Sequence, residues 1–66
     1  MVIKINGKIE KVEKALDLSE LILEKGLSAD RIVVEHNFRI ILKEDLGGIR
    51  LKENDSIEIV SFVGGG

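Results

Sequence analysis

Apolar and polar residues alternate at the start of the chain. Met1, Ile3 and Ile5 fall on one face of an extended segment, and Val2 and Lys4 fall on the other. This period of two is that of a half-buried strand. Asn6-Gly7 follows, and both residues tolerate the positive φ that a two-residue hairpin turn requires. Lys8 to Val12 is then the returning strand. Its alternation is poor, because Ile9 shares a face with Lys11, and this predicts an edge position. From Leu18 the period changes, with Leu18, Leu21, Ile22 and Lys25 at helical spacing. Asp17-Leu18-Ser19-Glu20 reads as a capping box led by Asp, and Gly26 stands where a left-handed C-cap is wanted. The pattern predicts one helix over Leu18–Lys25, too short to persist alone in water and so held by packing on a sheet.

The second half reads as strands. Arg31 to Glu35 is rich in β-branched residues, His36-Asn37 makes a turn, and Phe38 to Leu42 forms the fourth strand. Lys43 to Gly48 reads as a loop punctuated by Gly47-Gly48. Ile49-Arg50-Leu51 is a short extended piece, and Glu53-Asn54-Asp55 turns into a final strand, Ser56 to Val63. The predicted class is α+β, with one helix packed across one face of a mixed sheet of four to five strands. These connections suit a β-grasp fold in which the first and last strands lie side by side in the centre. Residues 1–63 are expected to form the folded domain and 64–66 a flexible tail. If Ile57, Ile59 and Ser61 face the helix, Glu58, Val60 and Phe62 face away from it. Val2 and Lys4 would point the same way from the neighbouring first strand. Val2, Val60 and Phe62, followed by Val63, are therefore expected to form an apolar docking patch at the root of the tail.

Composition narrows the chemistry. With 66 residues and 44% hydrophobic content, the chain can bury one core and no more. Charged residues of both signs are interspersed and the net charge is −2, so there is no basic field for phosphates. Two Phe without Tyr or Trp offer no stacking platform for bases, and nucleic acid is not expected as a partner. No apolar run approaches the roughly 20 residues of a membrane span, and no signal-peptide pattern opens the chain, so the expected location is the cytoplasm. The absence of cysteine excludes a disulfide framework, a thiolate metal site and a thiol nucleophile. His36, the single histidine, reads as a solvated turn residue. Glu44, Asp45, Glu53, Asp55 and Glu58 lack calcium-ligand spacing and read as a solvated acidic face. No nucleophile and base can be paired, so the chain is not expected to be an enzyme, to bind a metal or to hold a cofactor.

This elimination leaves the ending Phe62-Val63-Gly64-Gly65-Gly66. Three glycines without side chains extend roughly 10 Å past the folded body. Their reactive group is the α-carboxylate of Gly66, ionised at neutral pH with a reference pKa of about 3.3–3.7.

The whole chain resembles the ThiS family of small ubiquitin-like sulfur carriers of thiamine biosynthesis. Ile3-x-Ile5-Asn6-Gly7 is similar to the family's first hairpin and Leu18-x-x-Leu21-Ile22 to its helix. Leu51 to Val60 is similar to the turn into its last strand, and Phe62-Val63-Gly64-Gly65-Gly66 to its end. Where family members often carry Asn-Gly and then Val-Pro between the third and fourth strands, this chain has His36-Asn37-Phe38 and Ile41-Leu42. Asn54 replaces the usual glycine before the aspartate of the last turn.

The resemblance implies that a ubiquitin-activating-type, ThiF-like adenylyltransferase binds Mg-ATP and joins the Gly66 carboxylate to AMP. Gly64 and Gly65 would thread the partner's active site. A sulfur donor such as a cysteine desulfurase would supply a persulfide, leaving Gly66 as a thiocarboxylate that passes sulfur to a ThiG-like thiazole synthase. Carriers for molybdopterin synthesis or tRNA thiolation are the nearest alternatives. A non-covalent interaction module and an isopeptide-forming modifier are the more distant ones.

Overall fold

Asn6 and Gly7 adopt φ of 50° and 80°, the pair of positive values that a tight hairpin requires. The turn joins β1 (Val2–Ile5) to β2 (Lys8–Lys11), which pair antiparallel with Val2 opposite Lys11 and Ile5 opposite Lys8. The structure, a computed structural model, describes residues 1–62. The remaining strands are β3 (Ile32–His36), β4 (Arg39–Ile41) and β5 (Ser56–Ser61). The sheet has five strands in the order β2-β1-β5-β3-β4, with β1 and β5 adjacent and parallel and the other pairs antiparallel. β2 is an edge strand, as its poor alternation predicts.

The helix α1 (Leu18–Glu24) starts where the capping box places it. The Asp17 carboxylate accepts from the Glu20 N–H at 2.8 Å, and the Glu20 carboxylate accepts from the Asp17 N–H at 2.9 Å. It ends one residue earlier than its spacing predicts. Gly26 stands just past the end with φ of 72°. The N–H of Leu27 reaches the carbonyl of Ile22 and that of Gly26 reaches Leu23, a Schellman closure. Leu18, Leu21 and Ile22 turn inward against Ile3, Ile5, Val34, Ile57 and Ile59. Each fully buried aliphatic side chain contributes about 1.5–3 kcal/mol, which holds a helix of seven residues that could not stand alone.

The segment Lys43–Gly48, expected to be a loop, is a 3-10 helix. Its reason is Leu46, which is buried and seals the core at one end of α1. The short extended piece predicted at Ile49–Leu51 crosses the chain before α1. Leu18 N–H donates to the Ile49 carbonyl and Leu51 N–H to the Leu16 carbonyl, each at 2.9 Å. A further 3-10 turn, Ala29–Arg31, leads into β3. Among the described residues no helix is long and apolar enough to cross a membrane.

Candidate functional site

Alternation along β5 sends Ile57 and Ile59 into the core and leaves Glu58, Val60 and Phe62 exposed on the side of the sheet away from α1. The expected split of the last strand into two faces therefore holds. Ser61 takes the helix-facing parity but is exposed.

The expected patch needs a correction. β1 and β5 are parallel, with Lys4 beside Ser56 and Ile5 beside Ile57. Val2 is accordingly level with Asn54, whose N–H donates to the Val2 carbonyl at 2.8 Å. Six residues of extended strand, roughly 20 Å, separate that level from Val60. Val2 thus lies at the end of the sheet opposite the last residues of β5, near Ile9 and Lys4, and the structure does not bring it beside Val60 and Phe62.

The true neighbours of Val60 come from β3 and the residue after β4. Val33 stands directly opposite Val60. The pairing of Val34 with Ile41 carries Leu42 to the far side of Val33. In the next row Glu58 faces Glu35, and Glu35 faces Ile40. Val33, Ile40, Leu42, Val60 and Phe62 are exposed by 40–67% of their surface. They make a continuous apolar strip on the open face. Single exposed apolar residues need no explanation, but a contiguous set around one strand end does. The residues missed in the sequence, Val33, Ile40 and Leu42, lie on the outward parity of their own strands. Their association with Val60 depended on a register that local patterning does not carry.

A polar clasp fixes the other end of β5. Asp55 is 5% exposed and belongs to no solvated face. One carboxylate oxygen takes the Lys52 N–H at 2.8 Å and lies 2.9 Å from His36 Nε2, while the other takes the Asn37 side-chain amide at 3.0 Å. The Asn37 carbonyl oxygen in turn accepts from Ser56 N–H at 2.9 Å. Burial alone would raise the Asp55 carboxyl above its ordinary value, but the bonds from His36, Asn37 and Lys52 hold it below. His36, read from sequence as a solvated turn residue, is half-buried and spent on this clasp. Asn6 adds a second tie, its side-chain oxygen accepting from Ile59 N–H at 2.7 Å. β5 is thus pinned on both sides before it reaches the tail root at Phe62.

Val63, Gly64, Gly65 and Gly66 lie outside the described residues. Among those described, no three His, Cys, Asp or Glu side chains gather as metal ligands. The surface grooves, about 310–360 Å³ each, are open and lined mainly by ion-paired or aliphatic side chains.

Comparison with known proteins bears on this arrangement. The ThiS family model matches residues 3–66. The sulfur carrier protein ThiS of Bacillus subtilis is 38% identical over 65 residues, covering 97% of this chain and 98% of that protein. Proteins named thiazole synthase from Magnetococcus marinus and Paramagnetospirillum magneticum are 33% and 30% identical over 66 residues. The chain spans only a fifth of the length of those two relatives. The crystal structure of the thiamine biosynthesis protein ThiS from Geobacter metallireducens superposes with a TM-score of 0.84 at 29% identity, covering 100% of both chains.

Proposed function

The chain belongs to the ThiS family, and from that premise we propose that it is a sulfur carrier of thiamine biosynthesis whose reacting group is the Gly66 carboxylate. The observation that carries this reading is the family match, which runs through residue 66. The apolar strip at the root of the glycines supports it, since a carrier without its own catalytic groups must be held by the enzyme that acts on it. The relatives named thiazole synthase add support, because a segment like this chain there forms part of a longer polypeptide of that name.

A carboxylate resists attack by sulfur because its oxygen leaves poorly. In the proposed sequence a ThiF-like partner, using Mg-ATP, lets a Gly66 oxygen attack the α-phosphate and release pyrophosphate. The terminal sulfur of a persulfide, supplied by a donor such as a cysteine desulfurase, then displaces AMP. The carbon–sulfur bond forms as the carbon–oxygen bond to AMP breaks. A thiol reductant cleaves the remaining S–S bond and leaves Gly66 as a thiocarboxylate. A ThiG-like thiazole synthase takes the sulfur. Gly64 and Gly65 are the residues that enter the partner's channel, where side chains would obstruct passage. The folded body acts as a handle, with Val60 and Phe62 at the contact and Val63 continuing from them.

The test is intact-mass measurement after incubation with the ThiF-like enzyme, Mg-ATP, cysteine and a cysteine desulfurase. The expected result is the gain of one sulfur for one oxygen, lost when a bulky residue is added after Gly66. An unchanged mass with partners proven active on another carrier would refute the reading.

A further inference from the structure

The apolar strip is bordered by an electrostatic conflict. Glu35 and Glu58 stand directly opposite each other on β3 and β5 and share the outward parity of the open face. Glu58 is exposed and Glu35 half-buried. Like charges directly opposed on neighbouring strands destabilise a sheet. The ion pairs among the described residues are Lys14–Glu24, Lys25–Glu10, His36–Asp55 and Lys43–Asp30, and neither glutamate takes part. Lys4 on β1 is level with Ser56, one row from Glu58, and among the described residues it takes part in no ion pair. Ile40 flanks Glu35 in the same row, and the Val60–Val33 pair follows in the next. Two unfavourable features, an exposed apolar strip and an unpaired carboxylate pair, therefore lie side by side at the tail root.

We propose that this face receives the protein that takes up the tail, through an apolar surface carrying an arginine that bridges Glu35 and Glu58. The inference rests on the carrier reading and adds the chemistry of the contact. Phe62 is at once the end of the strip and the root of the last four residues. Their extended reach is only about 13 Å, so a surface that takes up Gly66 must lie against this end of the sheet. A guanidinium fits better than an ammonium, because its planar fork of five donors can engage two carboxylates at once. Desolvation by the surrounding apolar contact strengthens such a bridge relative to an exposed rim pair.

The experiment measures binding of a purified ThiF-like activating enzyme by calorimetry, using the full chain and the double variant Glu35→Gln/Glu58→Gln. A double variant with the same charge change elsewhere, Glu13→Gln/Asp45→Asn, serves as control. The expected result is at least about tenfold weaker binding for the glutamine pair and little change for the control. The wild-type affinity is expected to fall more steeply than that of the glutamine pair between about 50 and about 500 mM salt. The free glutamine variant should melt no lower than wild type, because a repulsion has been removed, which separates lost contact from lost fold. Equal affinity and equal salt dependence in the two chains would overturn the proposal. If the wild type still gains its sulfur in that case, the carrier reading survives the loss. A wild type that neither binds nor gains sulfur sinks both. A wild-type dimer abolished by the glutamine pair also overturns it, since a second copy would then occupy this face.

Discussion

Replacement of Asp55 by alanine should be among the most damaging single changes in the chain, because this carboxylate is buried at 5% exposure. The substitution removes the acceptor for three donors at once: the His36 ring, the Asn37 amide and the Lys52 N–H. Hydrogen bonds to a charged group contribute about 1.5–3 kcal/mol each, and network members are not additive. Some donors regain water once the clasp opens, so the net loss is set at about 2–4 kcal/mol. A chain of 66 residues has a total stability of only about 3–10 kcal/mol. At about 4–8 °C per kcal/mol for a domain of this size, the midpoint should drop by about 8–32 °C.

The same clasp fixes a pH dependence. The folded-state carboxyl lies below its ordinary value of 3.8, so the folded state favours the ionised form. Its contribution is complete above that value and is lost as pH falls through the lower, folded-state pKa. Urea titration followed by circular dichroism, at neutral pH and again between about pH 4 and pH 2, reads both effects. Asp55→Asn should lose less at neutral pH than Asp55→Ala and should show a flatter acid limb than wild type. A loss below about 0.5 kcal/mol for Asp55→Ala, or an acid limb unchanged in Asp55→Asn, would refute the reasoning.

Two further outcomes are expected on the same assay. Ile57→Ala empties a site with no solvent exposure between β5 and α1 and should cost about 2–5 kcal/mol; a smaller loss would mean that the core collapses around the gap. Phe38 sits at φ of 71° in the β3–β4 turn with 85% of its surface exposed. Phe38→Gly should therefore raise stability by up to about 1 kcal/mol by relieving left-handed strain, and a lower urea midpoint would show that the ring has a packing role.

The strained phenylalanine and the buried aspartate mark how far a linear reading reaches. Asn6-Gly7, the Asp17/Glu20 box and Gly26 were legible because each acts over two to four residues, through φ preferences and side-chain bonds to the nearest N–H groups. The faces of β5 were legible for the same reason, since alternation is local. The burial of His36 and Asp55 is not legible, because their partnership spans nineteen positions and an aspartate in an acidic stretch carries no local sign that it is buried. Phe38 stands where a turn needs positive φ, and only the pairing of β3 with β4 shows that the turn is so tight.

The chemistry of the ending was readable as an elimination: no cysteine, one histidine, no nucleophile with a base, and a run of glycines at residue 66. Sequence alone thus determined the hairpin, the helix start and the inward faces of the strands, and singled out the glycine ending on which the proposal rests. Tertiary structure decided which outward residues meet. The parallel register of β1 and β5 is a contact between segments about fifty residues apart, and in a sheet that register sets which end of one strand lies beside which end of the other. It moved Val2 to the far end, while the antiparallel registers of β3 with β5 and of β3 with β4 put Val33, Ile40 and Leu42, with the opposed Glu35 and Glu58, beside Val60.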